Sequence, residues 1–144
     1  MAVADLILDN SVAMRWALPR SNSPEAHRYA DAVLERLEAG ATALVPNLWH
    51  VEAVSVLVRA EKKGLIDAAG TGRFLSFTAA LGIETDDRPA SHTVASLART
   101  YGLSGYDAQY LDLAMRSGLP LATVDEALGR AATEVGVVLY LGGI

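Results

Sequence analysis

A short and almost continuous apolar run near the start of the chain constrains the fold more than any other feature. Residues 3–8 are Val-Ala-Asp-Leu-Ile-Leu, with Asp5 as the only polar member. Such a run is typical of a strand buried on both faces, as in parallel sheets that are covered by helices. We therefore predict that it forms a central strand.

Helical signals alternate with further short apolar runs along the rest of the chain. Ser23-Pro24-Glu25, for example, supplies a capping residue, a proline and an acid at the start of one predicted helix. Strands are predicted at 42–45, 83–85, 119–122 and 137–141. This alternation predicts an α/β fold with a central, mostly parallel sheet of four to five strands. At 144 residues without a linker, the chain is expected to form a single domain over 1–144.

The composition is rich in apolar residues, which make up 51% of the chain. No apolar stretch approaches the roughly 20 residues that a membrane span requires. The surplus therefore indicates a buried interface with a partner. The N-terminus lacks the pattern of a signal peptide and the chain has no cysteine, so we expect a cytoplasmic protein.

The net charge is −5, from 12 basic and 17 acidic residues. Proteins that bind nucleic acids usually show a basic surface. Two bound Mg²⁺ ions, however, would add four positive charges and change the net charge from −5 to −1. The net charge alone therefore does not exclude a nucleic-acid substrate.

Four acidic residues lie at positions where a carboxylate has little structural reason to be. They occur at a strand end, within an apolar helix face, and in the first turns of two predicted helices: Asp9, Glu52, Asp107 and Asp125. Acids at strand ends and helix starts can converge in one cleft of an α/β sheet. A cluster of carboxylates is a site for a hard divalent cation.

The two acids in the first half of the chain have weak structural alternatives. Asp9 could interact with the dipole of the following helix, although Ser11 could cap that helix alone. Glu52 could be solvated only if its side of the helix were exposed, and apolar neighbours such as Leu48 and Val56 argue against this.

The two acids in the second half have stronger alternatives. Ser104 and Asp107 fit the S-x-x-D variant of a capping box. Thr123 and Glu126 make another box, which leaves Asp125 in the first turn of its helix, where it could serve the helix dipole. Four separate structural explanations are less probable together than any one of them alone. The coincidence of four such acids therefore supports one shared site.

With the acids placed, their surroundings resemble those of a PIN domain, specifically the VapC toxins of bacterial toxin–antitoxin pairs. The blocks around Tyr106-Asp107-Ala108 and Ala122-Thr123-Val124-Asp125 carry most of the specificity. Four blocks occur in the order of that family: 6–16, 45–53, 103–114 and 120–125. Asn10 is a minor departure, since the family often has a small apolar residue there.

The resemblance implies a three-layer α/β/α PIN-like fold and an endoribonuclease that depends on Mg²⁺, with Mn²⁺ possible. It implies that Asp9, Glu52, Asp107 and Asp125 are the catalytic and metal-binding acids, with Ser11 and Thr123 as supporting polar residues. It also implies an RNA substrate, a small antitoxin protein as inhibitor, and a homodimer.

Two alternatives to a toxin ribonuclease stay open at this point. One is a nuclease of the same fold that acts in RNA maturation or on DNA. The other is a catalytically silent PIN-like binding module, against which the intact set of four acids argues. A gene for a small antitoxin directly upstream would favour the toxin.

Overall fold

The protein is built on a four-stranded sheet in which every pairing is parallel. The computed structural model describes residues 3–19 and 23–144. The strands are β1 (Leu6–Leu8), β2 (Ala43–Pro46), β3 (Ile83–Asp86) and β4 (Leu121–Ala122), in the spatial order β3-β2-β1-β4. The first strand is an interior strand, and all three of its residues are completely buried. The predicted central strand and the predicted α/β class are therefore confirmed.

Seven α-helices flank this sheet within the described residues. They are α1 (Asn10–Ala17), α2 (Pro24–Glu38), α3 (Leu48–Lys62), α4 (Ala68–Ala79), α5 (His92–Tyr101), α6 (Gly105–Ser117) and α7 (Glu126–Glu134). The predicted cap of α2 is present, because the Ser23 hydroxyl accepts a hydrogen bond from the Ala26 amide. Helices α5 and α6 each end at a glycine in the left-handed conformation, Gly102 and Gly118, as helix C-termini favour. Among the described residues, none of these helices combines the length and the apolar character needed to cross a membrane.

The structure corrects the sequence prediction at two places outside the site. Residues 137–141 do not form a fifth strand: Leu139 makes one isolated bridge to Leu121, and a 3₁₀ turn follows at Tyr140–Gly142. Strand β4 has only two residues, so it offers little edge for a longer pairing. The second place is Pro89: prolines favour the first turn of a helix, and the sequence predicts a helix that begins near it, but α5 begins only at His92.

The carboxyl end of β3 is attached to α6 by a network of charged side chains. Arg116 bonds the Asp112 carboxylate at 2.8 Å and lies 3.5 Å from that of Asp86, which Arg88 also contacts. Both carboxylates are largely buried. Partial burial raises the pKa of Asp86, but the hydrogen bonds and charge of Arg88 and the charge of Arg116 lower it overall. These two acids therefore serve the fold.

Replacing Arg116 with Met should destabilise the protein by about 2 kcal/mol, because a charged hydrogen bond is lost while Asp112 stays buried. Chemical denaturation at neutral pH measures the difference. Arg99→Met is the matched control, since Arg99 is exposed near the end of α5. Equal stability of the two variants would contradict a structural role for the network.

Candidate metal and nuclease site

The carboxylate of Asp9 is fixed between two hydroxyl groups at the carboxyl end of β1. Asp9 is 4% exposed and occupies the position before α1. Its Oδ2 accepts hydrogen bonds from Ser11 at 2.6 Å and from Thr123 at 2.7 Å. Ser11 thus lies inside α1 and holds Asp9 in place; it does not cap the helix, which corrects that prediction.

Thr123 and Ser11 join the β1–α1 connection to the β4–α7 connection. Their hydroxyl oxygens are 3.4 Å apart, and the Ser11 hydroxyl also accepts from the Val124 amide at 3.2 Å. The Thr123 hydroxyl accepts from the Asp125 amide at 3.0 Å. Because β1 and β4 are paired in parallel, their carboxyl ends meet at one edge of the sheet, and this brings the two loops together.

Asp125 caps α7 as well as lying beside the other acids. The helix begins at Glu126, and Oδ2 of Asp125 accepts from the Leu128 amide at 2.8 Å. The predicted box of Thr123 and Glu126 is therefore wrong, since Thr123 lies outside the helix and contacts Asp9. Asp125 therefore has a structural role at the start of α7. This role uses one carboxylate oxygen, and the residue still lies beside the other acids.

Glu52 is held by a residue that the sequence did not single out. It lies on α3 and is half-buried, and its Oε1 accepts a hydrogen bond of 2.8 Å from the Tyr110 hydroxyl. Tyr110 is completely buried on α6. The available signal was its spacing, because Tyr110 follows Asp107 by three residues and so shares its face of the helix.

Asp107 lies in the first turn of α6. The hydroxyl of Ser104 accepts from the Asp107 amide at 3.0 Å, so Ser104 is the predicted helix cap. This bond uses the backbone of Asp107. The half-buried carboxylate lies within the influence of the Asp125 charge, and its side chain also has a hydrogen bond with Ser104.

A second tyrosine supports the loop that carries Thr123. The Tyr29 hydroxyl donates to the carbonyl of Tyr140 at 2.8 Å and also contacts the Thr123 backbone. From its helical spacing alone, Tyr29 is predicted to lie on the core face of α2. Its side chain is indeed buried there. The Tyr29 hydroxyl positions the loop that carries Thr123, and the spacing of apolar residues cannot reveal such a role.

The four acids, which we call the acidic site together with Ser11 and Thr123, influence one another electrostatically. Burial raises the pKa of Asp9 to about 6; the hydroxyls of Ser11 and Thr123 oppose this shift, and the charges of Asp107 and Asp125 add to it. Burial also raises the pKa of Glu52, against the Tyr110 hydrogen bond and with the charges of Asp9 and Asp107. Burial and the charge of Asp125 raise the pKa of Asp107, and the hydrogen bond with Ser104 opposes this shift. Asp9 and Asp107 therefore interact electrostatically with each other and with both Glu52 and Asp125.

The donors of the acidic site fit a hard, partly hydrated cation. Every side chain in it offers oxygen, which is the ligand type of Mg²⁺, and Mg²⁺ usually keeps several waters. Within residues 3–19 and 23–144, no group of three or more His, Cys, Asp or Glu side chains is arranged so that it could hold a metal ion. A positive charge at the acidic site would relieve the repulsion among the acids.

Comparison with known proteins gives a family and three structural relatives. The sequence pattern of the PIN domain matches residues 6–134, whereas no curated protein sequence matches the chain. PAE2754 from Pyrobaculum aerophilum is 24% identical over 90% of this chain and 87% of its own, with a TM-score of 0.68.

Two further solved structures are similar to this chain. FitAcB from Neisseria gonorrhoeae is 19% identical over 89% of this chain and 93% of its own, with a TM-score of 0.58. VapC20 of Mycobacterium tuberculosis, a toxin that cleaves the sarcin–ricin loop, is 11% identical over 88% and 95%, with a TM-score of 0.55. At these identities the three structures show a common fold.

The matched segment covers most of the chain and contains all four acids. The predicted PIN-like fold is confirmed by this match and by the parallel sheet. Proteins with this domain are generally nucleases. The chain belongs to the PIN domain family.

Proposed function

We propose that this protein is the toxin of a type II toxin–antitoxin pair, a hydrolase that cleaves phosphodiester bonds of RNA internally with Mg²⁺ or Mn²⁺. The observation that carries the proposal is the convergence of Asp9, Glu52, Asp107 and Asp125, whose charges act on one another. Structural ion-pair networks also gather acids, but they include cations, as around Arg116. Among residues 3–19 and 23–144, no basic residue is a cause of the pKa shifts of Asp9, Glu52 and Asp107.

The four carboxylates would hold the ion, each from a different part of the chain. When bound, a divalent cation lowers the pKa of an attacking water and stabilises charge on the phosphate and the leaving oxygen. Ser11 and Thr123 fix the direction of the Asp9 carboxylate, and Tyr110 fixes that of Glu52. Since these groups are already oriented, little reorganisation is needed when substrate binds.

The relatives support the finer parts of the proposal. VapC20 is described as a toxin that cleaves the sarcin–ricin loop, which favours RNA as substrate. We further propose that residues 1–144 act as one PIN domain and that the protein works in the cytoplasm.

Exposed apolar side chains support the proposed protein partners, an antitoxin and a second copy of the chain. Val51, Val54 and Val58 are 69%, 44% and 40% exposed. Their spacing of three and four residues places them along one face of α3. A stripe of this kind is stabilised when a partner covers it.

Removing charge from the acidic site should abolish activity. We expect purified wild-type protein to cleave RNA with Mg²⁺ or Mn²⁺ and not with EDTA, and Asp9→Asn and Asp107→Asn to lose at least a hundredfold in rate, or about 2.7 kcal/mol. The same variants should no longer arrest growth when expressed without a partner. Circular dichroism checks their fold, and Asp112→Asn is the control for an acid outside the site. Full activity in EDTA or in either variant would contradict the metal mechanism.

The raised pKa of Asp9 makes stability depend on pH in a defined direction. A pKa of about 6 in the folded state exceeds the unfolded value of about 3.9, so the folded protein binds the proton more tightly. In EDTA, stability should therefore rise by about 1 kcal/mol from pH 7 to pH 5, and the gain is lost as pH rises through 6. Thermal melting should show a smaller gain in Asp9→Asn.

Added Mg²⁺ should stabilise the wild type most at pH 7 and less at pH 5, because protons compete for the same carboxylates. The two effects have opposite pH dependence, which separates them in one melting series. If wild type and Asp9→Asn gave parallel pH profiles in EDTA, the burial of an ionisable Asp9 would be refuted.

A charge in the α3 stripe should weaken self-association. We expect the wild type to be a dimer in light scattering and Val54→Asp to raise the dimer dissociation constant about a hundredfold, since an unpaired carboxylate would be buried. Val138→Asp is the control, because Val138 is 70% exposed and lies outside α3. A wild type that is monomeric at high concentration would disprove the proposed dimer through α3.

A further inference from the structure

A cavity of about 590 Å³ adjoins the acidic site on the side of α7. Thr123, Val124 and Asp125 form the end that it shares with the site. Helix α7 forms one wall, and residues 139, 143 and 144 contribute to the other. Its volume lies within the usual range for small-ligand pockets. If an RNA strand bound with one phosphate at the acidic site, a neighbouring nucleotide would lie in or over this cavity.

Arg130 gives this cavity a positive group. It lines the wall and is exposed, and among the described residues no ion pair or hydrogen bond of its side chain is found. The guanidinium binds phosphate oxygens with two parallel hydrogen bonds, which makes arginine a frequent ligand of nucleic-acid backbones. Arg130 is thus placed to contact a phosphate next to the one at the acids.

The remaining lining suits a base that offers N–H donors. Val124 and Leu139 supply apolar surface, and Glu126 and Glu134 lie one helical turn on either side of Arg130. Ionised carboxylates accept hydrogen bonds and donate none. Guanine presents two neighbouring N–H donors on its Watson–Crick edge, which unpaired RNA bases expose. Uracil presents one donor between two carbonyl groups.

The backbone of α7 does not require a glycine at position 129, yet a glycine there leaves the cavity open. Gly129 lies in the middle of the helix, and its φ is not among the positive values. A Cβ at this position would meet only the Thr123 methyl carbon, at an ordinary distance of 3.9 Å. Glycine weakens a helix relative to alanine, so the fold itself gains nothing from it. The missing side chain widens the cavity.

We propose that this cavity binds one unpaired nucleotide next to the scissile phosphate, with guanine preferred, and that Arg130 contacts its phosphate. The proposal rests on the proposed ribonuclease function and names the specificity-determining subsite of that site.

Binding can be tested without catalysis by titrating the protein in EDTA with each of the four ribonucleoside 5′-monophosphates. Amide resonances of residues in the cavity, such as Gly129 and Leu139, should shift with GMP at the lowest concentration and with UMP at the highest. Gly129→Leu fills the cavity and Arg130→Gln removes the charge, so each should weaken GMP binding about tenfold. Gly72→Leu and Arg99→Gln are matched controls, because a Cβ at Gly72 meets no neighbour and both residues lie outside α7.

Cleavage assays separate this subsite from the proposed function. Gly129→Leu and Arg130→Gln should raise KM for RNA about tenfold with kcat little changed, and should reduce the preference for guanine beside the cut. If the wild type cleaves RNA while both variants keep its KM and sequence preference, the subsite is overturned and the ribonuclease stands. If GMP and UMP bind equally, the base preference is overturned. A wild type that binds GMP in the cavity but cleaves no RNA would refute the ribonuclease and keep the nucleotide site.

Discussion

The contact between the Asp9 carboxylate and the hydroxyls of Ser11 and Thr123 is the interaction on which the site depends. A carboxylate that is 4% exposed is costly unless it is hydrogen-bonded, and both hydroxyls bond the same oxygen. The contact joins the loops that follow β1 and β4. It therefore fixes the relative position of Asp9 and Asp125, and the parallel pairing of the two strands makes it possible.

Tyrosine hydroxyls support the site from behind. Tyr110 orients Glu52 from the middle of α6, and Tyr29 holds the Thr123 loop against the C-terminal segment. Both phenol groups are buried, so their bonds are shielded from competition with water. Arginines, by contrast, surround the acid at the carboxyl end of β3, where Arg116 and Arg88 neutralise Asp86. The fold thus neutralises the charge of the structural acids with arginines. The charge of the acidic site is available to a bound ligand.

The sequence predicted those parts of the fold that follow from local patterns. The continuous run before Asp9 identified the central strand, and the caps at Ser23 and Ser104 located helix starts. Prediction was wrong where partners distant in the chain decide the structure. Residues 137–141 have a strand-like composition, yet β4 offers them too short an edge. Thr123 is of a residue type that often caps helices, yet its hydroxyl donates to the buried Asp9 instead.

The same distinction applies to the acidic site. The convergence of four acids could be argued from strand ends and helix starts, because topology brings such positions together. The residues that orient them, Tyr29 and Tyr110, occupy apolar helix faces, where a tyrosine is indistinguishable from a core residue until its hydroxyl has a partner. Their roles were visible only in the folded chain.

The distance along the chain between the two halves of the site has a consequence for synthesis. The Thr123–Asp9 bond joins residues 114 positions apart, and β1 cannot pair with β4 until Leu121 and Ala122 have been synthesised. With Asp9 and Asp125 separated by 116 positions, translation at about 5–20 residues per second leaves roughly 6 to 23 seconds between them. During that interval the nascent chain carries an incomplete set of acids. Each ribosome that makes this protein therefore carries only part of the acidic site until Asp125 has been synthesised.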